Sequence, residues 1–488
     1  MVGYRVALVM AVLLLAVPLL AMGTASAAYL EPRGLPVRPE AHWVPPRSGV
    51  VSNPVAPPRA LAVDANATLL PVGAQYRVTN NAGAQNEVSI AVNPRNAKNI
   101  VVSANDYRGG SAWCGVYTST DGGRTWLERL VPRNGNLSLA PYSGDPAVAF
   151  DGDGNAYVSC LGFGGSVNVI TVTKSTDGGL SWGVAQQVVG AETNVFHDKS
   201  YMAVDTSSGP TRGSLYVTWT RFLYTSGGAY IESPIYLSRS TDGGVTWSAE
   251  KDITSPGFKY DQGSTPAVGP AGELYVSWVS GTTGGNRVAV AKSTDAGTTW
   301  GATMVANTLW DPGELYGGSP RTPHFPSMAV NPIDAPGGNR VHVVWADRRF
   351  GNADILMSTS VNGGLTWGAP VKVNDDATGN AQFFPWVAAS ANGKVFVSFY
   401  DRRDDPGDRL LTDYIATSTD FGVSFARNVR ASAQFDPGNW FIGDYNGLAA
   451  SGDFGFPVWC DLRNGGEEEV YMAGPPIAGT GGFRMMNP

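Results

Sequence analysis

Residues 119–126 read S-T-D-G-G-R-T-W, and the chain repeats them at 175–182 (STDGGLSW), 240–247 (STDGGVTW) and 293–300 (STDAGTTW). Looser copies stand at 360–367 (SVNGGLTW, with Asn362 in place of the aspartate) and 418–425 (STDFGVSF). A short string recurring at intervals of about sixty residues marks repeated supersecondary units, which bury their apolar faces only against one another. Asp-x-Gly between two β-rich runs is a tight hairpin turn. The glycine supplies positive φ, and the carboxylate accepts hydrogen bonds from the turn's own N–H groups. The aromatic residue then opens the next strand, where its ring can fold back on the hairpin. Each copy therefore reads as a structural staple rather than a catalytic aspartate.

With six copies over most of its length, the chain resembles the Asp-box (BNR) repeat β-propellers of the sialidase superfamily and of sortilin-type receptors. The resemblance implies an all-β propeller. It is specific for architecture and much less so for activity, because one fold hosts many functions.

Each unit carries more than its turn. A β-rich run precedes it, such as YVTWT at 216–220 or VHVVWA at 341–346, and a shorter apolar run comes before that. With the strands flanking the turn this gives four strands per unit, a propeller blade. A seventh unit begins at 448–450 and ends without a turn or a fourth strand. Residues 75–80 (QYRVTN) look like the fourth strand at 370–375 (PVKVND), so the N-terminal strand is expected to complete the last blade and remove an exposed edge. The expectation is a seven-bladed propeller over 73–475, with six blades as the alternative.

Before it, Arg5, an apolar run over 6–20 and the A-S-A at 25–27 form a secretory leader, 1–27. A membrane anchor is the alternative, weakened by Pro18 and the run's shortness. Residues 28–72 are proline-rich and read as a linker, and 476–488 as a C-terminal tail. The sixty-one glycines suit a chain of hairpins. A net charge of −7 argues against nucleic acid and anionic membranes as partners. Three cysteines (Cys114, Cys160 and Cys460) in an oxidising compartment imply one disulfide and one free thiol, and no spacing resembles a zinc site.

Alternating strands put the repeated turns on one face and the second-to-third-strand loops on the other, where a site belongs. On that face Asp-x-Arg recurs: Asp106/Arg108, Asp347/Arg349, Asp401/Arg403 and Asp461/Arg463. Residues two apart project together. The pairs are either an inter-blade ion-pair belt or an arginine cluster for an anionic ligand. Residues entering the first strands form a second set: Glu87, Asp145, His197-Asp198-Lys199, Asp261, His324 and Asp444-Tyr445.

The resemblance implies retaining glycoside hydrolysis with a tyrosine nucleophile assisted by a glutamate. Carried over, it gives Asp198 as acid/base, Tyr445 as nucleophile, Glu314 or Glu232 as the activating carboxylate, and Arg349, Arg403 and Arg463 as the carboxylate-binding triad, with Arg108 beside them. The family's Arg-Ile-Pro signature is absent, and Arg321-Thr322-Pro323 is the nearest string. The loops around Phe222, Tyr224, Trp310 and Tyr316 suit sugar stacking or plain loop packing. His197 and His324 read as structural. No cofactor is implied, although Asp404, Asp405 and Asp408 could hold calcium if they are not simply a solvated acidic loop. The sequence thus points to a secreted, monomeric, sialidase-like propeller acting on extracellular glycans or glycoproteins. The alternative is a non-catalytic propeller that binds a polysaccharide or a protein.

Overall fold

The structure, a computed structural model, describes residues 74–254, 260–282, 285–308, 322–332 and 340–474. The leader, the proline-rich segment, the C-terminal tail and Glu314 lie outside the described residues. Seven antiparallel sheets follow one another, each with its strands in chain order except the last, whose outer strand is the N-terminal one. In the first blade the strands are Gln85–Val92, Ile100–Asp106, Trp113–Ser119 and Leu127–Leu130. The first strand of each blade packs against its counterparts on either side, and the seventh blade's packs against the first's, so the ring closes. This is a seven-bladed β-propeller. The six-bladed alternative falls.

Closure is made as the sequence implied. Gln75–Arg77 is the outer strand of the last blade, running antiparallel to Glu469–Ala473 with Tyr76 opposite Met472. Val78 N–H extends the ladder to the Val470 carbonyl at 2.8 Å. The first and last strands of the chain therefore hold each other, and the edge of Glu469–Ala473 is covered.

The blades cohere through apolar layers shared between neighbours. One joins Tyr157, Leu161 and Val172 of the second blade to Met202, Val217 and Trp219 of the third. Each such core side chain contributes about 1.5–3 kcal/mol when fully buried. Second strands such as Val341–Asp347 are buried on both faces, which is why they read as nearly unbroken apolar runs.

The repeated turns are the staples between these layers. Asp242 Oδ1 accepts the Val245 and Thr246 N–H groups at 3.1 and 2.9 Å, and Thr246 Oγ1 donates to its Oδ2 at 2.6 Å. Asn362 keeps the acceptor half of this pattern, taking the Thr366 N–H at 2.9 Å. The second turn shows why its glycines are required. Gly178 and Gly179 have φ of 75° and 94°, and a Cβ on either would fall 2.6 Å from an atom of Asn99 or Val101 in the preceding blade. The Trp126 ring folds back to donate to the Gly123 carbonyl at 2.9 Å.

Cys114 and Cys160 form a disulfide between the first two blades, and Cys460 is a buried free thiol. Among the described residues no helix is long and apolar enough to cross a membrane.

Candidate functional site

The inner strands start on the face opposite the repeated turns, and most of them start with a bulge. The strand pairings shift register between Asn86 and Ser89, Gly144 and Ala147, Asp198 and Tyr201, Gln262 and Thr265, and Phe383 and Trp386. The bulged residues are Glu87, Asp145, Lys199, Gly263 and Phe384, with φ of 56°, 49°, 44°, 68° and 51°. Four of these five are not glycine. Left-handed backbone at non-glycine residues is held only where the surroundings enforce it, and bulges of this kind re-aim side chains next to sites. The matching positions of the fifth and seventh blades hold Phe325 and Tyr445.

These re-aimed side chains meet at the mouth of the ring. The Lys199 ammonium lies 3.8 Å from the centre of the Tyr445 ring and within cation–π range of Tyr201 and Phe325, at 5.1 and 5.5 Å. Burial pushes the Lys199 ammonium below its ordinary pKa, while Asp145, Glu87, Asp444 and Asp198 oppose that fall. Burial, then the charges of Glu87 and Asp145, push the Tyr445 phenol well above its usual value. Asn105 ties the cluster together: its amide donates to Glu87 Oε2 at 2.8 Å and accepts the Asp145 N–H at 2.8 Å. Trp386 lies between Tyr201 and Tyr445, with ring centres 5.0 and 6.3 Å away. Lys199 and Tyr445 are 6% and 5% exposed, whereas Asp198 is half-buried. Among the described residues the mouth thus holds one ammonium, four carboxyl groups and the phenols of Tyr201 and Tyr445, with Asp198 the most open of them.

Asp198 and Tyr445 each neighbour Lys199, which feels the Asp198 charge and lies over the Tyr445 ring. Glu232 lies elsewhere, on a short strand facing Asp261. Lys199, Glu87 and Asp145 are the residues that complete the cluster. All three stand in the sequence two residues before the matching Ser89, Ala147 and Tyr201, but nothing local to them encodes a left-handed bulge.

The four arginines do not converge. Each turns back on its own aspartate and outward to the ring's outer strands. Arg349 donates to Asp347 at 2.9 and 2.7 Å and to the Asn307 carbonyl at 2.5 Å. Arg403 pairs with Asp401 at 2.7 Å and Asp375 at 2.5 Å. Arg108 pairs with Asp106 at 2.5 Å and opens on a groove between outer strands, beside Glu128 and Trp182. Arg463 pairs with Asp461 and donates to Gln75 Oε1 of the closing strand at 2.6 Å. The backbone N–H of each arginine also binds the same aspartate, so Asp-x-Arg is a turn lock as well as an ion pair. Of the two expectations for this motif, the geometry fits ion pairing within the scaffold: Arg349 and Arg403 reach the preceding blade, whereas Arg108 and Arg463 bind the outer strand of their own.

The same aspartates settle a second group. Trp345 and Trp459 donate their indole N–H to Asp347 and Asp461 at 3.0 and 2.8 Å. The third and fourth blades lack Asp-x-Arg, and there the acceptor comes from the first strand: His197 Nδ1 for Trp219 at 3.0 Å, and Asp261 Oδ1 for Trp278 at 3.1 Å. His197 is thereby held as the tautomer with its proton on Nε2, 3.1 Å from the Gly190 carbonyl. Burial drops its pKa to about 4 and that of His324 to about 3. Both act as neutral, structural imidazoles.

The acidic loop is committed to its own bonds. Asp404 pairs with Arg430 at 2.7 Å, Asp405 accepts the Gly407, Arg409 and Leu410 N–H groups, and Asp408 accepts from Asn352 and Ala381. Among the described residues no three His, Cys, Asp or Glu side chains are grouped to hold a metal ion.

Ring, turns and axial mouth together define a seven-bladed β-propeller with Asp-x-Gly hairpin turns. No family model matches the chain. The sialidase of Micromonospora viridifaciens is 30% identical over 220 residues, which cover 40% of this chain and 32% of that protein, so the chain spans well under half of this curated relative. Among solved structures, a PL25 polysaccharide lyase, ulvan lyase, superposes with a TM-score of 0.51 at 11% identity, covering 83% of this chain and 96% of that one. The NanB sialidase from Streptococcus pneumoniae gives 0.45 at 11% identity, covering 77% and 83%.

Proposed function

We propose that this chain is a secreted propeller acting on extracellular glycans in the manner of a glycoside hydrolase, with its chemistry at the axial mouth. The observation that carries the reading is the set of left-handed bulges that turn Glu87, Asp145 and Lys199 onto Tyr445. Asp198, the most open carboxyl group, is the acid/base. Tyr445 is the nucleophile, and Glu87 or Asp145 receives its proton, since a phenol raised this far does not ionise unaided. The local relative's description as a sialidase supports the glycan class. The Cys114–Cys160 disulfide supports an oxidising compartment.

The finer reading is an exo-sialidase. With Arg108, Arg349, Arg403 and Arg463 bound to aspartates, Lys199 is, among the described residues at the mouth, the cation for a substrate carboxylate. The test is release from fluorogenic aryl glycosides, sialosides beside neutral sugars, by wild type, Asp198→Asn and Tyr445→Phe. Turnover lost in both variants supports the assignment. Turnover of neutral glycosides alone removes the sialidase reading, and no turnover of any removes the hydrolase.

A second reading is a non-catalytic propeller that binds a polysaccharide or a protein. The near-complete burial of Tyr445 and Lys199 and the commitment of the arginines favour it. A glycan array separates its two forms: binding identifies a polysaccharide ligand, and silence leaves a protein partner.

A further inference from the structure

The third blade has a part that the other six lack. Its second strand, Leu215–Tyr224, runs on past the blade and pairs with a short strand, Tyr230–Glu232, which gives the one five-stranded sheet among the described residues. Its first strand follows, with Val195 opposite Leu223 and Asp198 opposite Thr220. The result is a ribbon standing above the working face, rooted beside Asp198.

The ribbon carries aromatics and is locked to the next blade. Tyr230 stacks on Tyr260, the first residue of the fourth blade's inner strand, with ring centres 5.4 Å apart and planes 16° from parallel. Tyr230 Oη and Ser233 Oγ are 2.8 Å apart, and Ser233 Oγ accepts the Asp261 N–H at 3.2 Å. Tyr224 and Phe222 meet Tyr230 edge-on at 6.3 and 6.4 Å. Phe222 is buried and provides the packing, whereas Tyr224, Tyr230 and Tyr260 remain half-buried, so ring surface is offered outward. Tyr224 lies within the field of Asp198, whose charge adds to burial in raising its phenol. Among the described residues the ionisable neighbours of the ribbon are acidic or paired: Asp198, Glu232 and Asp261 are acids, Arg221 is tied to Glu192 at 2.5 Å, and Lys199 is buried among carboxyl groups.

We propose that this ribbon is a stacking subsite for an uncharged pyranose ring of a glycan chain whose neighbouring residue lies at the axial mouth. Tyr224 supplies the aromatic face, Tyr230 and Tyr260 hold that face rigid, and Asp198 accepts a sugar hydroxyl. The apolar C–H face of a pyranose matches a tyrosine ring. A sugar carboxylate or sulfate would meet, among the described residues, acids and cations already paired with them. Preorganisation by the Tyr230–Tyr260 stack keeps the ordering cost low.

The inference rests on the glycan reading of the mouth, and the test separates the two. Wild type, Tyr224→Ala, Tyr224→Phe and Asp198→Asn are titrated with cellohexaose, xylohexaose, mannohexaose and chitohexaose, and with an oligogalacturonate as the acidic counterpart. Affinity is followed by calorimetry, and near-UV circular dichroism confirms folding. The expected result is binding of at least one neutral hexamer, weakened about tenfold by Tyr224→Ala and restored to within about twofold by Tyr224→Phe. Asp198→Asn should weaken it less than Tyr224→Ala. Wild-type affinity in folded Tyr224→Ala overturns the subsite while leaving the glycan reading standing. Preference for the oligogalacturonate that Tyr224→Ala abolishes overturns the uncharged class, and no binding of any hexamer by wild type overturns the subsite and leaves the glycan reading to the glycoside panel.

Discussion

In five of the six repeated turns a single carboxylate accepts the turn's own N–H groups. Hydrogen bonds from the Thr246 side chain and backbone hold the Asp242 carboxyl at about 2, and Asp121, Asp177, Asp295 and Asp420 are lowered in the same way. A depressed folded-state pKa means that the stabilisation is present above the unfolded value near 4 and is lost as pH falls towards 2. Asp242→Ala should therefore lower stability by about 1 kcal/mol at neutral pH in urea unfolding. Asp242→Asn should lose less, because Asn362 already serves as acceptor in the fifth blade. Both variants should unfold less steeply with acid than wild type, and an unchanged acid limb would contradict the role given to this carboxylate.

At the scale of strands and their contacts, Asp261 shows the opposite sign. Burial on the fourth blade's inner strand pushes its carboxyl up to about 7, against hydrogen bonds from Ser280 and Trp278. The folded form then holds a proton that the unfolded chain has released. Its contribution is complete below about 4 and is lost as pH rises towards 7. Asp261→Asn should flatten that part of the stability–pH curve, with thermal unfolding between pH 4 and 8 as the measurement. A slope equal to the wild type's would place the proton elsewhere, with Glu468, also raised to about 7, the next group to vary. Between blades, the disulfide closes a loop with a sequence separation of 46. Replacing Cys114 and Cys160 by serine should cost about 4 kcal/mol by the loop-entropy account, read from denaturant midpoints against the oxidised parent.

The whole ring was largely legible in the sequence because its markers are local. Asp-x-Gly turns with a following aromatic declare hairpins, the glycines at 178 and 179 are demanded by φ and by contact, and the likeness of residues 75–80 to 370–375 revealed the closing strand. Strand alternation alone placed the working face. The site itself was only half legible. Asp198 and Tyr445 were named, but the bulges that turn Glu87, Asp145 and Lys199 inward depend on packing around the axis. The partners of the arginines, such as Asn307 and Asp375, lie on neighbouring outer strands far away in sequence, so spacing could show the Asp-x-Arg pairs but not their direction. Because Gln75–Arg77 completes the last blade, a chain beginning at residue 74 should fold as the full chain does. One beginning at residue 81 should lose cooperative unfolding, seen as a broadened thermal transition. If both chains melt alike, the closing strand does not hold the ring.

The central claim is that function lies at the axial cluster and that the arginine belt only supports the scaffold. It is tested most directly by carrying Lys199→Met and Arg349→Gln through the same glycoside panel and glycan array as wild type, both confirmed folded at the assay temperature. The account predicts that Lys199→Met loses whatever turnover or binding the wild type displays, while Arg349→Gln keeps it and shows only a lower melting temperature. Retention in folded Lys199→Met, or loss in folded Arg349→Gln, would contradict it.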